Sequence, residues 1–441
     1  MLLYTIAILA VLIIISYAVF DRDIMSPPTV VALVFLFGAL CTFYNEERWQ
    51  LDFSRETMLL VVFGVAAFIA GSAAALFLSN LKRQGSRGFS HQISPVEYID
   101  IARLKTLLVI LFQLLTIYML VSQLRRITGG GSWSQVVAIF RGRKSVDPEQ
   151  NTLKLSALLK QFISVSFYLA LFYAYIVGNN IASGKRQPVI NWLPVILSSA
   201  MSILQGYRSD ILRYWIAILV VAYMLKKRSI GWKHSKSSRK MVRAMALSVV
   251  FIGVLFVAVR GLVGRSSTKD PLYYLTFYAG CPLAAFDVFV NKQIEPSPIW
   301  GKETFYNLNQ NIGTLLHRSE LRYRFFHEFS RSPNGTSIGN VYTALRAPYY
   351  DFGKTGMIVV MFIMGAFFTF FYLKVRKRNG RSPVDMWLLV YSYVAYTFFM
   401  YFYNCYNTFI SLSIVKAVVL FLLFRWFFLK VRLGREGIVI T

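Results

Sequence analysis

Gly339-Asn340-Val341-Tyr342-Thr343-Ala344-Leu345-Arg346-Ala347-Pro348-Tyr349-Tyr350-Asp351-Phe352-Gly353 closes a long polar excursion and leads directly into an apolar run at 355–373. A run of that length and composition is read as a membrane helix. The polar residues before it are suited to sugar chemistry: Asn and Asp bond hydroxyls, Tyr rings stack on a sugar face, and Arg pairs with phosphate. The same residues also suit an interfacial belt, with Tyr anchoring and Arg snorkelling.

The rest of the chain has the same character. Of 441 residues, 56% are hydrophobic and 15% charged, with mean hydropathy +0.51, whereas soluble domains carry roughly a quarter charged residues. Apolar runs fall near 2–20, 29–44, 57–79, 105–122, 157–177, 189–206, 209–225, 244–264, 355–373, 384–403 and 408–429. They predict an all-α polytopic integral membrane protein of about eleven transmembrane helices. The run at 2–20 lacks a basic start and a small-residue cleavage site, so it reads as a retained span. Cys41, Cys281 and Cys405 lie far apart and mostly in apolar surroundings, where cysteine acts as a small hydrophobe.

A net charge of +28 is here a signal of topology, not of nucleic acid. Lys82 and Arg83, Lys185 and Arg186, Lys226 to Arg243, Lys374 to Arg381, and Lys430 to Arg435 flank alternate spans. The positive-inside rule places them all in the cytoplasm, with the N-terminus outside and the C-terminus inside. Residues 272–290 are apolar enough to span, but Gly280, Pro282 and Asp287 predict a broken, re-entrant or interfacial segment. The expected divisions are a bundle of about eight spans over 1–264, a large extracytoplasmic loop with short helices over 265–354, and about three spans over 355–441. No internal repeat relates two halves, which weighs against a transporter. An external segment near 125–154 carries Val136, Val137 and Phe140 at helical spacing among basic residues, the pattern of a helix lying in the headgroup layer.

External arginines are conspicuous against the positive-inside rule. Tyr207-Arg208-Ser209-Asp210 and Arg213 sit between two spans joined by a very short connection, and Arg208 either faces a cavity or pairs with Asp210. Arg260 and Arg265 lie near the outer end of the run at 244–264, and Arg318, Arg322, Arg324 and Arg331 continue the basic character towards Arg346. Guanidinium forks match phosphate oxygens. Asp351 and His317 are the candidate proton acceptors, with Asp351 also placed to partner the helix after it. There is no Walker loop, His-Glu-x-x-His, Gly-x-Ser-x-Gly, or external pair of close carboxylates. The expectation is metal-independent transfer with no cofactor.

Asp23-Ile24-Met25-Ser26-Pro27, Gly206-Tyr207-Arg208-Ser209 and the segment from Asn340 to Gly353 together resemble bacterial oligosaccharide repeat-unit polymerases, which build O-antigen or capsule. The resemblance implies a membrane glycosyltransferase of GT-C-like architecture in the cytoplasmic (inner) membrane. Such an enzyme moves a growing glycan from undecaprenyl diphosphate onto a lipid-linked repeat at the outer face. It further implies that Arg208, Arg260, Arg265 and Arg346 hold the diphosphates and that a flippase and a chain-length regulator are partners. Tyr207, Asp210, Arg213, Asn340, Tyr342, Tyr349 and Tyr350 are the expected substrate-binding residues. A glycan ligase shares these physical features, and a lipid-linked oligosaccharide flippase is the remaining alternative.

The orientation has a direct check. Cysteines introduced at Ser132 and Gly335 are expected to react with an impermeant thiol reagent from outside, and one at Ser237 only after permeabilisation; external labelling at Ser237 would reverse the topology.

Overall fold

A computed structural model describes residues 1–84, 95–146, 155–232, 243, 253–254, 257–258, 270–292, 297–323, 325–377, 383–434 and 437–440. The run at 244–264, with Arg260 and Arg265, and Arg324 lie almost wholly or entirely outside them. The described chain is overwhelmingly helical, with two small antiparallel hairpins, β1–β2 (Ser330–Arg331 and Ser337–Gly339) and β3–β4 (Val431–Gly434 and Gly437–Ile440). Seven described helices are long and apolar enough to cross a membrane. The fold is that of an all-α polytopic membrane protein.

The chain forms two compact units. The first comprises Met1–Ser90, Lys269–Arg378 and Val394–Ile414. Its membrane helices are α1 (Leu2–Val19), α2 (Pro27–Tyr44), α4 (Arg55–Gln84) and α12 (Arg346–Arg376), with the one-turn α3 (Glu46–Trp49) between α2 and α4. Helices α4 and α12 run parallel: Glu56 pairs with Lys354 at one end (2.8 Å), and Ser79 bonds Lys377 at the other. Between these ties the backbones come unusually close. A Cβ on Gly71 would collide with the Phe362 carbonyl, and one on Gly365 with the Phe68 carbonyl. Small residues permit this in a membrane, where association depends on close packing more than on the hydrophobic effect. The Ser72 hydroxyl donates to the Gly365 carbonyl across the seam (3.1 Å). Parallel packing brings the end of α4 and the basic end of α12 to one side. There Asp23 accepts hydrogen bonds from the Met25 N–H (3.1 Å) and the Tyr372 hydroxyl, and Arg376 pairs with Asp21 (2.9 Å). The Asp23-to-Pro27 landmark is thus a pin between the α1–α2 turn and the end of α12, remote from the polar segment.

Helix α10 (Pro271–Val290) is continuous, which corrects the expected break. Gly280 serves close approach: its carbonyl accepts from Thr42 (2.9 Å), and a Cβ there would press on the Cys41–Thr42 backbone. Tyr273 and Phe277 meet Arg48 and Trp49, Asp287 accepts the Ser54 N–H (3.0 Å), and Phe289 meets Tyr342. From one end to the other, α10 packs against the end of α2, the start of α4 and the polar segment. That segment also contains α11 (Tyr306–Leu315) and the β1–β2 hairpin.

The second unit comprises His91–Thr268, Asn379–Tyr393 and Val415–Thr441. It contains α5 (Arg103–Thr128), α6 (Trp133–Val146), α7 (Ala157–Ser183), α8 (Leu193–Leu204), α9 (Ser209–Ile230), part of α13 (Met386–Phe399) and most of α14 (Ser413–Leu429). Helix α8 is shorter than the run at 189–206. Gly178 lets α7 approach the Ile218 carbonyl of α9, and a buried Arg228–Asp385 pair (2.9 Å) joins α9 to the start of α13. The apolar face of α6 is covered by protein: Val136 and Phe140 are buried against Leu120, Leu124, Leu159 and Met201. This corrects the expectation of a helix resting that face in lipid headgroups. Burial against three neighbouring helices satisfies the same stripe.

The α4–α12 seam can be tested by substitution. Gly71→Ala and Gly365→Ala are each expected to cost about 1–3 kcal/mol through overpacking and to lower the melting temperature in detergent. Gly142→Ala in α6, where a Cβ meets nothing, serves as the neutral comparison, and equal melting of all three would refute the close seam.

Candidate active site

The first limb of α12 carries the stretch that opened the sequence reading. At Gly353 the backbone turns to φ 68° and ψ −167°, which ends a short helix over 346–352 before the membrane limb begins. A positive φ with that ψ is open to glycine at little cost. The short limb therefore points its side chains into the polar segment.

Arg346 lies at the centre. Its guanidinium is buried and pairs with Glu328 (2.8 Å) and Glu303 (3.3 Å), and it is held between the rings of Phe289 (4.3 Å) and Tyr342 (4.1 Å). It also makes a short hydrogen bond to His327 Nδ1. A guanidinium only donates, so Nδ1 accepts and the imidazole proton sits on Nε2. Asp351, one turn along, accepts the Glu303 N–H on both oxygens (3.2 and 3.1 Å) and the Thr304 N–H (2.7 Å). It holds the backbone that presents Glu303.

Glu303 is the unusual group. Its side chain is 2% exposed, and Oε2 has no hydrogen-bond partner. His327 Nδ1, 3.7 Å from it, is an acceptor in this arrangement. Three carboxylates surround one guanidinium here, and the deepest keeps a proton most readily. Burial pushes the Glu303 carboxyl from the ordinary 4.5 up to about 8, against the pull of Arg346 and aided by Asp351 and Glu328.

Beside this cluster is a cavity of about 330 Å³. Glu303, His327, Asn340, Asn404 and Asn407 line it, with Tyr306 and Phe326 supplying ring faces. Its size is at the lower end of small-molecule sites, roughly 300–1,000 Å³.

The expected residues are distributed unevenly around it. Asn340 lines the cavity. Arg346 and Asp351 stand behind Glu303, and Arg346 already has anionic partners where a free cation for diphosphate was expected. Tyr342 is fully buried, its hydroxyl donating to the Glu328 carbonyl (2.9 Å). Tyr349 and Tyr350 pack near Phe289. His317 is exposed after α11, at φ 53°. Arg208, Tyr207, Asp210 and Arg213 belong to the second unit. There Gly206, at φ 78°, turns α8 into α9, Asp210 accepts from Ser202 (2.9 Å), and Arg213 lies over Phe167 (5.3 Å) and Tyr393 (5.8 Å). Glu303, Glu328 and His327 were missed. The two glutamates lie in polar stretches without a recognisable motif. His327 likewise belongs to no motif.

A sequence model of the family described as "Putative O-antigen polymerase" matches residues 155–398, over half of the chain. The chain belongs to that family. No curated protein and no solved structure matches it. The O-antigen polymerase match includes Glu303, His327, Asn340 and Arg346, and the helices are those of a multi-pass membrane protein of polysaccharide biosynthesis.

The Glu303 environment makes a pH prediction. A carboxyl whose folded pKa is raised contributes stability fully below the unfolded value and loses it as pH rises through the folded one. Between about 4.5 and 8 the protein should therefore lose stability as pH rises, and Glu303→Gln should flatten that slope. The check is melting temperature against pH in detergent; identical slopes would mean that Glu303 is ordinary.

Proposed function

We propose that this polymerase is a glycosyltransferase that joins undecaprenyl-diphosphate-linked oligosaccharide repeats into a surface polysaccharide at the outer face of the cytoplasmic membrane. The observation that carries the reading is the unpartnered Oε2 of Glu303, a residue that lines a sugar-sized cavity in the polar segment, next to the start of α12. The acceptor sugar hydroxyl gives its proton to Glu303 Oε2 as its oxygen attacks the anomeric carbon of the growing glycan. The bond from that carbon to the carrier diphosphate breaks, and the diphosphate leaves with the electron pair. A base with a pKa close to the working pH suits such a step. Arg346 steadies the Glu303 carboxylate once it ionises in the resting cycle, and Asp351 fixes the backbone that carries it. Arg208, with Arg260 and Arg265, retains the proposed task of neutralising diphosphate, and Arg213 stays a proposed substrate contact. Tyr207 and Asp210 remain beside them as proposed substrate contacts. Tyr342, Tyr349 and Tyr350 are proposed as the packing that seats Arg346.

About eleven spans, a GT-C-like arrangement, an external N-terminus and a cytoplasmic C-terminus belong to the same proposal. So do a flippase and a chain-length regulator as partners, since the substrate must reach the outer face and the product must end at some length. The chemistry proposed here uses protein side chains alone and no cofactor.

Purified protein supplied with a lipid-linked repeat should extend it. Glu303→Gln is expected to lose about a hundredfold or more in rate, the scale of a missing general base, while still binding substrate. Asp351→Asn should be intermediate and His317→Gln near normal. If Glu303→Gln extends chains normally while Asp351→Asn or His317→Gln is dead, the base is the latter residue. Transfer of a finished chain to an unrelated acceptor, with no lengthening, would make the protein a ligase.

A further inference from the structure

The cavity has a chemical bias that the transfer reaction itself does not require. Its acidic lining residue is Glu303, whose N–H is held by Asp351. Its lining also carries two amides from the 404–407 turn, which follows α13. Asn404 Oδ1 accepts the Cys405 N–H (2.8 Å), and Asn407 Oδ1 accepts the Tyr401 hydroxyl (3.0 Å). Each amide is oriented by that bond, with its oxygen occupied and its NH2 group as the remaining donor. The turn is firmly held. The Ala344 N–H donates to the Tyr401 carbonyl (2.8 Å), the Asn404 N–H to the Met400 carbonyl (2.9 Å), and the Leu412 N–H to Asn311 (2.9 Å). Asn340, on the segment that Ala344 continues, also lines the cavity, and its side chain makes no hydrogen bond among the described residues.

A buried acceptor without a donor on one residue of the lining, together with oriented amide donors on others, matches a group that both donates and accepts around its rim. A pyranose does so through its hydroxyls, and an acetamido substituent does so through its N–H and C=O. Phe326, 53% exposed at the cavity edge, and Tyr306 offer faces for the apolar side of such a ring. A carboxylate or phosphate in the same place would find no Lys or Arg among the described lining residues, and the nearby Arg346 already paired with Glu328 and Glu303. An anion buried without a cation of its own is disfavoured.

We propose that this cavity is a subsite for a single uncharged pyranose, the acceptor end of the lipid-linked repeat, with Asn340, Asn404 and Asn407 reading its hydroxyl or acetamido groups. The proposal rests on the transferase reading for the word acceptor, but the binding chemistry stands without it. Uronic acids and phosphorylated sugars are excluded from this position, and the carrier diphosphate is held elsewhere.

Saturation-transfer NMR on the full-length protein in detergent tests this, with methyl glycosides of neutral hexoses and N-acetylhexosamines as probes against methyl glycosides of uronic acids. Neutral probes should bind, and uronates should bind at least about tenfold more weakly, the scale set by an unpaired buried charge or a lost hydrogen bond. Asn404→Ala and Asn407→Ala should each weaken the neutral probes. Asn404→Lys should bring uronate binding up. Asn340→Ala removes no hydrogen bond among the described residues, so its loss of binding would report contact with the sugar, not altered folding. In the extension assay the alanine variants should raise KM for the acceptor far more than they lower kcat. Uronates that bind as well as neutral sugars would overturn the subsite, as would neutral binding untouched by all three asparagine variants. The two readings fail separately. Neutral binding that depends on the asparagines, in a protein that lengthens nothing, would sink the transferase and leave the subsite. Normal lengthening with unchanged KM in the asparagine variants would do the reverse.

Discussion

The polar segment depends on the burial of one guanidinium. Removing Arg346 from water is costly unless its charge and its N–H groups are met. The chain meets the charge and the terminal N–H groups with Glu303, Glu328 and the His327 ring, leaves Nε without a partner among the described residues, and stacks Phe289 and Tyr342 against its faces. These partners come from α10 and from three stretches of the polar segment. None is near another in sequence except Glu328 and His327. The long excursion between α10 and α12 therefore closes around a charge, and the cavity exists because this closure fixes its walls.

That closure needs a fixed base, which the α4–α12 seam supplies. Gly71 and Gly365 bring the two helices into backbone contact, and the Glu56–Lys354 pair sets their register where the membrane limb of α12 begins. One residue earlier, Gly353 redirects the chain, so the rigid membrane limb and the short limb bearing Arg346 and Asp351 are set at a defined bend. The site is thus built from the end of a well-packed helix, not from a free loop, which is how functional groups are held to useful precision.

The membrane character was legible because long apolar runs have few other meanings, and residues 339–353 were legible because polar groups crowd against one such run. Six of the expected runs appear as helices long enough to cross. The reading of α10 failed on Gly280 and Pro282. Both are helix breakers on intrinsic preference, yet Gly280 is used for contact with α2, a tertiary gain that no local rule contains. The reading of α6 took a correct amphipathic pattern and assigned it the wrong partner, since a stripe of Val136, Val137 and Phe140 does not say whether protein or lipid covers it. The site was half legible. Asn340, Arg346 and Asp351 were picked for their position beside a span. Glu303 was invisible because its importance comes from an Asp351 contact across 48 positions and from an unpaired oxygen, neither of which leaves a trace in spacing.

The surplus of acid around Arg346 explains why Glu303, and not Asp351, is the group poised for proton transfer. Asp351 has both oxygens engaged by backbone N–H groups, so its negative charge is already used in holding Glu303 and Thr304. Glu328 is 45% exposed. Glu303 alone combines deep burial, an oxygen without a donor and a position on the cavity wall. Arg346 cannot fully neutralise two carboxylates, and the one with less water is the one that holds its proton into the neutral range. A sugar hydroxyl entering the cavity would give that oxygen the donor it lacks, and so favour the ionised form that a base requires. Substrate binding and activation of the base are then the same event, driven by the unsatisfied oxygen of Glu303.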